Sequence, residues 1–309
     1  MAVAVYSRPR GIQRAMRKLW LPAAFLLPAI AIMLAFMVIP MVSAILLSFQ
    51  SWNGLTSATW VGLGNYQDLF QDPLFLNAFG HTALFVVVTV IFQTVFPLLV
   101  AVLLFKGVRG SVFFRTVYFM PTVISLAVSG LLWSIIYDPT NGVLNIVLGK
   151  LGLQSLEKPW LADTGTVLPS IIVVSIWQSL GFYLLIFFAG LQGIPRDIYE
   201  AASTDGANAW QRFRHVTIPL LAPVITVVVV LNTINGLKAF DQIWVMTAGG
   251  PTHASDTLGT YLYYSAFGAY GSANPQLGYA SAIGVLILVL SAVISIVQIR
   301  IGQSAAVEY

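Results

Sequence analysis

Residues 199–223 read YEAASTDGANAWQRFRHVTIPLLAP. The stretch is polar and of mixed charge, yet it lies between two long apolar runs in a chain that is only 8% Asp, Glu, Lys and Arg. Its residues predict two short helices broken at a turn. Glu200, Ala201 and Ala202 are good helix formers and Gly206 punctuates them. Asn208 is suited to cap a second helix running through His215, and Pro219 and Pro223 mark the entry into the next apolar segment. A loop with this internal design, set at a membrane boundary, has the character of a docking element.

The surrounding chain fixes the class. It has 309 residues, 58% of them hydrophobic, and a mean hydropathy of +0.85. Soluble domains have about 45–50% apolar and about 25% charged residues. The expected fold class is an all-α polytopic membrane protein. A β-barrel would show short alternating segments, and none is evident. With no cysteine, there is neither a disulfide framework nor a thiolate metal site.

Six apolar runs meet the roughly 20 residues that span a bilayer: Leu19–Leu47, Thr82–Phe105, Val112–Tyr137, Val167–Leu191, Thr217–Leu237 and Leu277–Ile299. The first follows a basic head, residues 1–18, with Arg8, Arg10, Arg14, Arg17 and Lys18 and no acid. It exceeds a roughly 7–15 residue signal core and is read as a retained helix. Pro22, Pro28 and Pro40 predict kinks in it. The membrane domain is expected over residues 19–300, with a short tail at 301–309.

Charge sets the orientation. The head, Lys106, Arg109, Arg115, Arg196, Arg212, Arg214 and Arg300 place twelve of the fifteen basic residues on one face. The opposite loops hold Lys150 and Lys158 against Asp68, Asp72, Asp138, Glu157, Asp163, Asp241 and Asp256. Cytoplasmic loops carry the Lys and Arg excess, so both termini and the opening loop are expected in the cytoplasm. Trp52, Trp60, Trp160 and Trp244 lie in the outer loops, and Trp20 and Trp210 near the inner boundary, as interfacial anchors do.

Several chemistries are missing. No G-x-x-x-x-G-K-[ST] loop is present to cradle phosphates. His81, His215 and His253 fall in different segments and read as isolated side chains rather than metal ligands. No serine-hydrolase constellation appears, so no catalytic residue is assigned. No helix centre carries an acid–base pair of the kind proton-driven carriers use.

Within the opening loop, Glu200-Ala201-Ala202 is followed after three residues by Gly206 and after nine more by Val216-Thr217-Ile218-Pro219. This resembles the EAA loop, EAA-x3-G-x9-I-x-L-P, of membrane subunits of binding-protein-dependent ABC importers. Val216 and Ile218 are conservative departures. Chance agreement at seven such positions is on the order of 10⁻⁷ per start point. WVGLGNY at 60–66, WSIIYDPTNGVLN at 133–145 and FDQIWVMTAGGP at 240–251 are similar to segments of the carbohydrate-uptake branch. The resemblance covers about residues 20 to 300.

The resemblance implies a type I importer permease with a coupling loop at 196–219. Glu200, Ala201, Ala202, Asp205, Gly206, Arg212 and Pro219 would seat it on an ATP-binding subunit. Ala201 and Ala202 allow close approach, Glu200 lies in the first helical turn where a carboxylate suits the dipole, and Gly206 permits the bend. Arg212 and Arg214 read equally as ATPase contacts or as orientation signals. The implied partners are a second permease, two ATP-binding subunits that hold ATP and Mg, an extracytoplasmic binding protein and membrane lipid; no cofactor is expected in this chain and no nucleic acid.

Polar groups inside membrane helices are costly and are therefore candidates for the substrate pathway. Asn232, Asn235, Lys238 and Gln242 recur at three or four residues, which predicts one stripe that includes the outer end of the fifth helix. Gln178, Gly181 and Tyr183 form a second cluster in the fourth. Each of these reads as a sugar contact or as a stitch between helices, and Lys238 and Asp241 also as a boundary ion pair. Gln93 reads as a helix–helix hydrogen bond. A di- or oligosaccharide is the expected cargo; glycerol-phosphate or polyamine import, and an ion-driven secondary carrier, are the alternatives.

Overall fold

Among the described residues, five helices are long and apolar enough to cross a membrane, and a bent helix pair counted as one span makes six. The computed structural model describes residues 24–105, 110–268 and 275–305. The basic head at 1–18, Trp20, Pro22, Lys106 and Arg109 lie outside the described residues.

The first span, α1 (Ala24–Leu47), contains a π turn at Leu34–Val38, two residues before Pro40. Proline has no N–H and its ring crowds the carbonyl four residues back, so the ladder slips locally to the wider turn. A small antiparallel hairpin, β1 (Gln50–Ser51) and β2 (Thr59–Trp60), leads to α2 (Gly64–Gln71). Asn65 donates to the carbonyls of Ser48 (2.8 Å) and Gln50 (2.9 Å), and the Tyr66 hydroxyl donates to Ser48 Oγ (2.8 Å). Those contacts tie α2 to the end of α1.

The second span, α3, runs Pro73–Phe105 and so begins well before the expected Thr82. Asp72 caps it, its Oδ1 accepting from the Leu74 amide at 2.9 Å, and Pro73 occupies the first position, where no N–H is needed. Hydropathy marks the membrane edge; the cap marks the helix end.

The third apolar run is not one helix. It divides into α4 (Ser111–Val123) and α5 (Leu126–Ile136), bent by 99°. Ile124 is extended, and Ser125 starts the second piece by accepting from the Val128 amide at 3.3 Å. Pro121 weakens the ladder just before the break. The expected single helix over 112–137 is therefore a broken span.

The outer connection contains α6 (Val143–Lys150) and leads to α7 (Val167–Gln192). Then come α8 (Arg196–Thr204) and α9 (Ala209–Leu237). Two short outer helices follow, α10 (Asp241–Thr247) and α11 (Leu258–Phe267), and α12 (Leu277–Ala305) closes the chain.

The most extensive interface joins α3 and α7. Leu98, Ala101, Leu184, Phe187, Leu191 and Leu221 bury its basic-end half, with α9 as the third wall. Phe85, Ile171, Val174, Ile243 and Met246 fill the acidic-end half. Leu69, Phe75, Leu258, Ile283 and Ile287 join the outer helices to α12. Exposed apolar side chains such as Phe25, Phe36, Phe92 and Val293 cover the outside of the spans, as suits surfaces solvated by lipid.

Candidate functional site

The loop between the fourth and fifth spans is more continuous than its sequence predicts. Helix α8 starts at Arg196, with Pro195 before it, so Asp197 holds the first-turn position and Glu200 sits in the second. That corrects the expected first-turn placement of Glu200. The helix ends in a Schellman turn. Gly206 adopts φ +78°, the Ala207 amide donates to Ala202 O (3.0 Å), and the Gly206 amide donates to Ser203 O (3.1 Å). The left-handed conformation is the reason a glycine stands here.

Asn208 then opens α9 with a reciprocal box. Its side chain accepts from the Gln211 amide at 2.9 Å, and Gln211 Oε1 accepts from the Asn208 amide at 2.8 Å. Helix α9 does not stop at His215. It passes through a π turn, Phe213–Thr217, two residues before Pro219, and continues into the span as far as Leu237. The pattern at Pro40 is repeated, and Thr217 Oγ1 donates to the Arg212 carbonyl at 3.4 Å within the wide turn. Tyr199 shares a 3.1 Å hydrogen bond with Thr217, and Arg212 donates to Ser203 Oγ.

Glu200, Ala201, Asp205 and Gly206 are exposed, Ala202, Arg212 and Pro219 partly buried. All seven therefore belong to one unit: a helix, a fixed turn and the first turns of a membrane helix. Trp210, 64% exposed and packed on Phe213 at 5.6 Å between centroids, adds an aromatic surface to it.

A cavity of about 320 Å³ opens among α3, α7, α9 and α10. Its polar lining comprises Thr89, Gln93, Ser175, Ser179, Tyr183, Asn232, Asn235, Lys238, Asp241 and Gln242. Asn232 is 1% exposed, and neither polar atom of its side chain has a hydrogen-bond partner. Gln93 donates to Ser175 O at 3.0 Å, joining α3 to α7 at the cavity wall.

The expected stripe is interrupted. Helix α9 ends at Leu237, Lys238 follows as its cap, and Gln242 belongs to α10. The turn returns Gln242 to the cavity, so the residues meet without sharing a helix face. Lys238 and Asp241 both line the cavity but form no ion pair within 4 Å; the ion pair found among the described residues is His253–Asp256.

Gln178 and Gly181 lie outside this lining. A Cβ on Gly181 would sit 2.4 Å from Tyr118 O and 2.5 Å from Phe119 Cα, so this glycine lets α4 cross against α7. Gln178 serves the broken span. Its Nε2 donates to Ile124 O (2.8 Å), its own carbonyl accepts from Thr122 Oγ1 (2.9 Å), and its Oε1 accepts from Ser129 Oγ (2.5 Å) and Gln242 Nε2 (3.2 Å). Backbone freed from a helix at membrane depth needs such partners.

The outer end holds two further clusters that the sequence did not disclose. Asp72 accepts from the hydroxyls of Tyr261 and, at 2.6 Å, Tyr279. Burial acts to raise its carboxyl, but those hydroxyls and the amides of Leu74 and Phe75 outweigh it, leaving Asp72 below the ordinary value. Asp256, 1% exposed, accepts from Thr260 Oγ1 (3.0 Å) and pairs with His253 Nδ1 (2.5 Å), while its carbonyl meets His81 Nδ1 (3.2 Å). Burial raises its carboxyl despite these contacts. Two histidines read as isolated thus converge on one residue, His253 at the Asp256 carboxylate and His81 at its main-chain carbonyl. Among the described residues, no three His, Cys, Asp or Glu side chains gather as a metal site.

Residues 93–306 match the family described as binding-protein-dependent transport system inner membrane component. The chain is 38% identical to the probable ABC transporter permease protein YurN of Bacillus subtilis, over 93% of this chain and 98% of that protein. It is 34% identical to the multiple sugar-binding transport system permease protein MsmF of Streptococcus mutans, over 94% and 98%. Among solved structures it superposes with TM-score 0.80 on a chain of a bacterial alginate ABC transporter in complex with alginate pentasaccharide-bound periplasmic protein. That likeness has 26% identity and covers 92% of this chain and 94% of the other.

Proposed function

Because the chain belongs to the family of binding-protein-dependent transport system inner membrane components, we propose that it forms half of the pathway by which an ATP-driven importer moves a di- or oligosaccharide. The chain is a multi-pass inner-membrane permease subunit of an ABC importer and a transport component rather than an enzyme.

The cavity carries the reading of cargo. Its amides and hydroxyls both donate and accept hydrogen bonds, which suits sugar hydroxyls. Asn232 has an unsatisfied amide there, and a buried polar group without a partner is costly. A passing substrate would supply that partner. The charged lining is one cation and one anion, Lys238 and Asp241. That balance fits a neutral saccharide better than glycerol-phosphate or a polyamine. The sugar-related name of the Streptococcus relative and the alginate transporter point to a saccharide, alginate itself being an acidic one.

Drive enters through residues 196–219. The basic face is taken as cytoplasmic, where two ATP-binding subunits grip this loop and its counterpart on a second, distinct permease. Glu200, Ala201, Ala202, Asp205 and Gly206 form the gripped surface, with the partly buried Arg212 behind it. Since α9 is unbroken from Ala209 to Leu237, a push on the loop reaches Asn232 and Asn235 along one helix. An extracytoplasmic binding protein delivers the sugar to the outer loops. The equilibrium between inward- and outward-facing states is biased by these partners.

The test is uptake of labelled oligosaccharide by vesicles holding the assembled complex. Uptake is expected to require internal ATP and external binding protein, and Asn235→Leu should change its dependence on sugar concentration. Uptake by this chain alone on an ion gradient would overturn the reading.

A further inference from the structure

A second cavity, of about 530 Å³, lies beside the loop rather than on the pathway. Its walls divide by chemistry. Val102, Phe105 and Leu191, from the last turns of α3 and α7, form an apolar base together with Phe213. Arg196 and Arg212 complete the lining with Tyr199 and Thr217, whose hydroxyls share a 3.1 Å hydrogen bond; Arg212 also donates to Ser203 Oγ. Among the described residues no acidic side chain lines the cavity; Asp197, Glu200 and Asp205 share the loop but lie outside the lining. A third guanidinium stands behind the wall: Arg115 lies 3.9 Å over the Phe188 ring, and Phe188 packs edge-on against Phe105 at 5.7 Å.

Two guanidinium groups with no carboxylate in the lining suit an anion. The apolar base suits an anion that carries a hydrocarbon part. The position, where spans end and the basic loop begins, is the depth of phospholipid headgroups, and basic pockets between helices at that depth bind anionic lipids. We infer that this cavity binds an anionic phospholipid, its headgroup phosphate between Arg196 and Arg212 and the start of its acyl chain on Val102, Phe105 and Leu191. The lipid would occupy the space between the ends of two spans and α8, and so set the resting position of the loop.

Native mass spectrometry of the full-length chain in detergent tests this. Phosphatidylglycerol and phosphatidylcholine are offered in equal amounts, with inorganic phosphate as competitor. The expected result is preferential retention of phosphatidylglycerol, reduced by about fivefold for each arginine changed to glutamine, in Arg196→Gln and in Arg196→Gln/Arg212→Gln. Arg196→Lys/Arg212→Lys should restore part of the preference. Arg196 is exposed, so its single variant reports on retention even where the double variant melts early. Equal retention of the two lipids, or unchanged preference in Arg196→Gln, would overturn the site. Displacement of the lipid by inorganic phosphate would overturn the role of the acyl chain, and with it the lipid as ligand. A preference lost in the Lys variants as in the Gln variants would show that charge is not what the cavity reads.

Discussion

Gln178 on the fourth span donates its side-chain amide to the main-chain carbonyl of Ile124, 2.8 Å away, at the gap where the third span breaks. The same glutamine accepts from Ser129, the second turn of the piece beyond the gap. A bend of 99° is thus held from outside, by a neighbouring helix. Gln242 joins the cluster and lines the cavity, so the break is tied to the cavity wall.

Replacing Gln178 with Leu should therefore cost stability before it touches transport. It leaves the Ile124 carbonyl without its partner, at about 1–3 kcal/mol, while Ser129 keeps its bonds to Leu126 O and Gln242 Nε2. Thermal unfolding of the purified chain in nanodiscs measures this. A Gln178→Leu variant that melts with the parent would mean the break holds itself.

Asn232 should behave in the opposite way. Its amide is buried with no partner, so Asn232→Leu removes an unfavourable burial and should leave stability equal or higher by roughly 1 kcal/mol. Uptake should nonetheless fall, because the group a sugar would meet is gone. Melting temperature and uptake measured on the same preparation separate the two roles. A variant that melts lower with unchanged transport would make Asn232 a stitch between helices.

Much of this was legible in the residues. Six apolar runs appear as spans, and Gly206 and Asn208 mark the turn and cap they form. Hydropathy is indifferent to direction, however, so one run could not disclose two helices at 99°; Pro121 and Ser125 were its only local signals. The pairing of Gln178 with Ile124 joins residues 54 apart and leaves no periodic trace. The same holds for His81 and His253, brought to Asp256 by folding. Helical spacing predicted a stripe through Gln242, and the turn at 238–240 broke it while still returning Gln242 to the cavity.

Gly206 tests the turn. At φ +78° a side chain is strained although nothing crowds the position, so Gly206→Ala should cost about 1 kcal/mol and weaken coupling in part. Gly206→Pro, with φ locked near −65°, should abolish the turn and uncouple uptake from ATP hydrolysis while the protein stays in the membrane. Sugar-stimulated ATP hydrolysis of the purified complex is the readout. Full stimulation in the proline variant would contradict the role of the turn.

The outer clusters predict a dependence on pH. Asp72 lies below its ordinary value of 3.8 when folded, so its contribution is complete above that value and is lost as pH falls through the lower folded value. Asp256 is raised, so its contribution declines as pH rises from 3.8 through its folded value. Asp72→Asn should reduce the loss of stability seen in acid, and Asp256→Asn should remove the decline on the other limb. Melting temperatures from about pH 3 to pH 7 check both. Curves parallel to the parent would show that neither cluster contributes.

The proposed coupling of this chain to ATP hydrolysis elsewhere runs through the loop at 196–219. Its most direct test is Glu200→Lys in the fully assembled transporter, with uptake and binding-protein-stimulated ATP hydrolysis measured in the same vesicles. Glu200 is exposed, so the fold should survive the change. The chain should remain in the membrane while stimulated hydrolysis and uptake are lost together. Retention of both at the parent level would contradict that coupling.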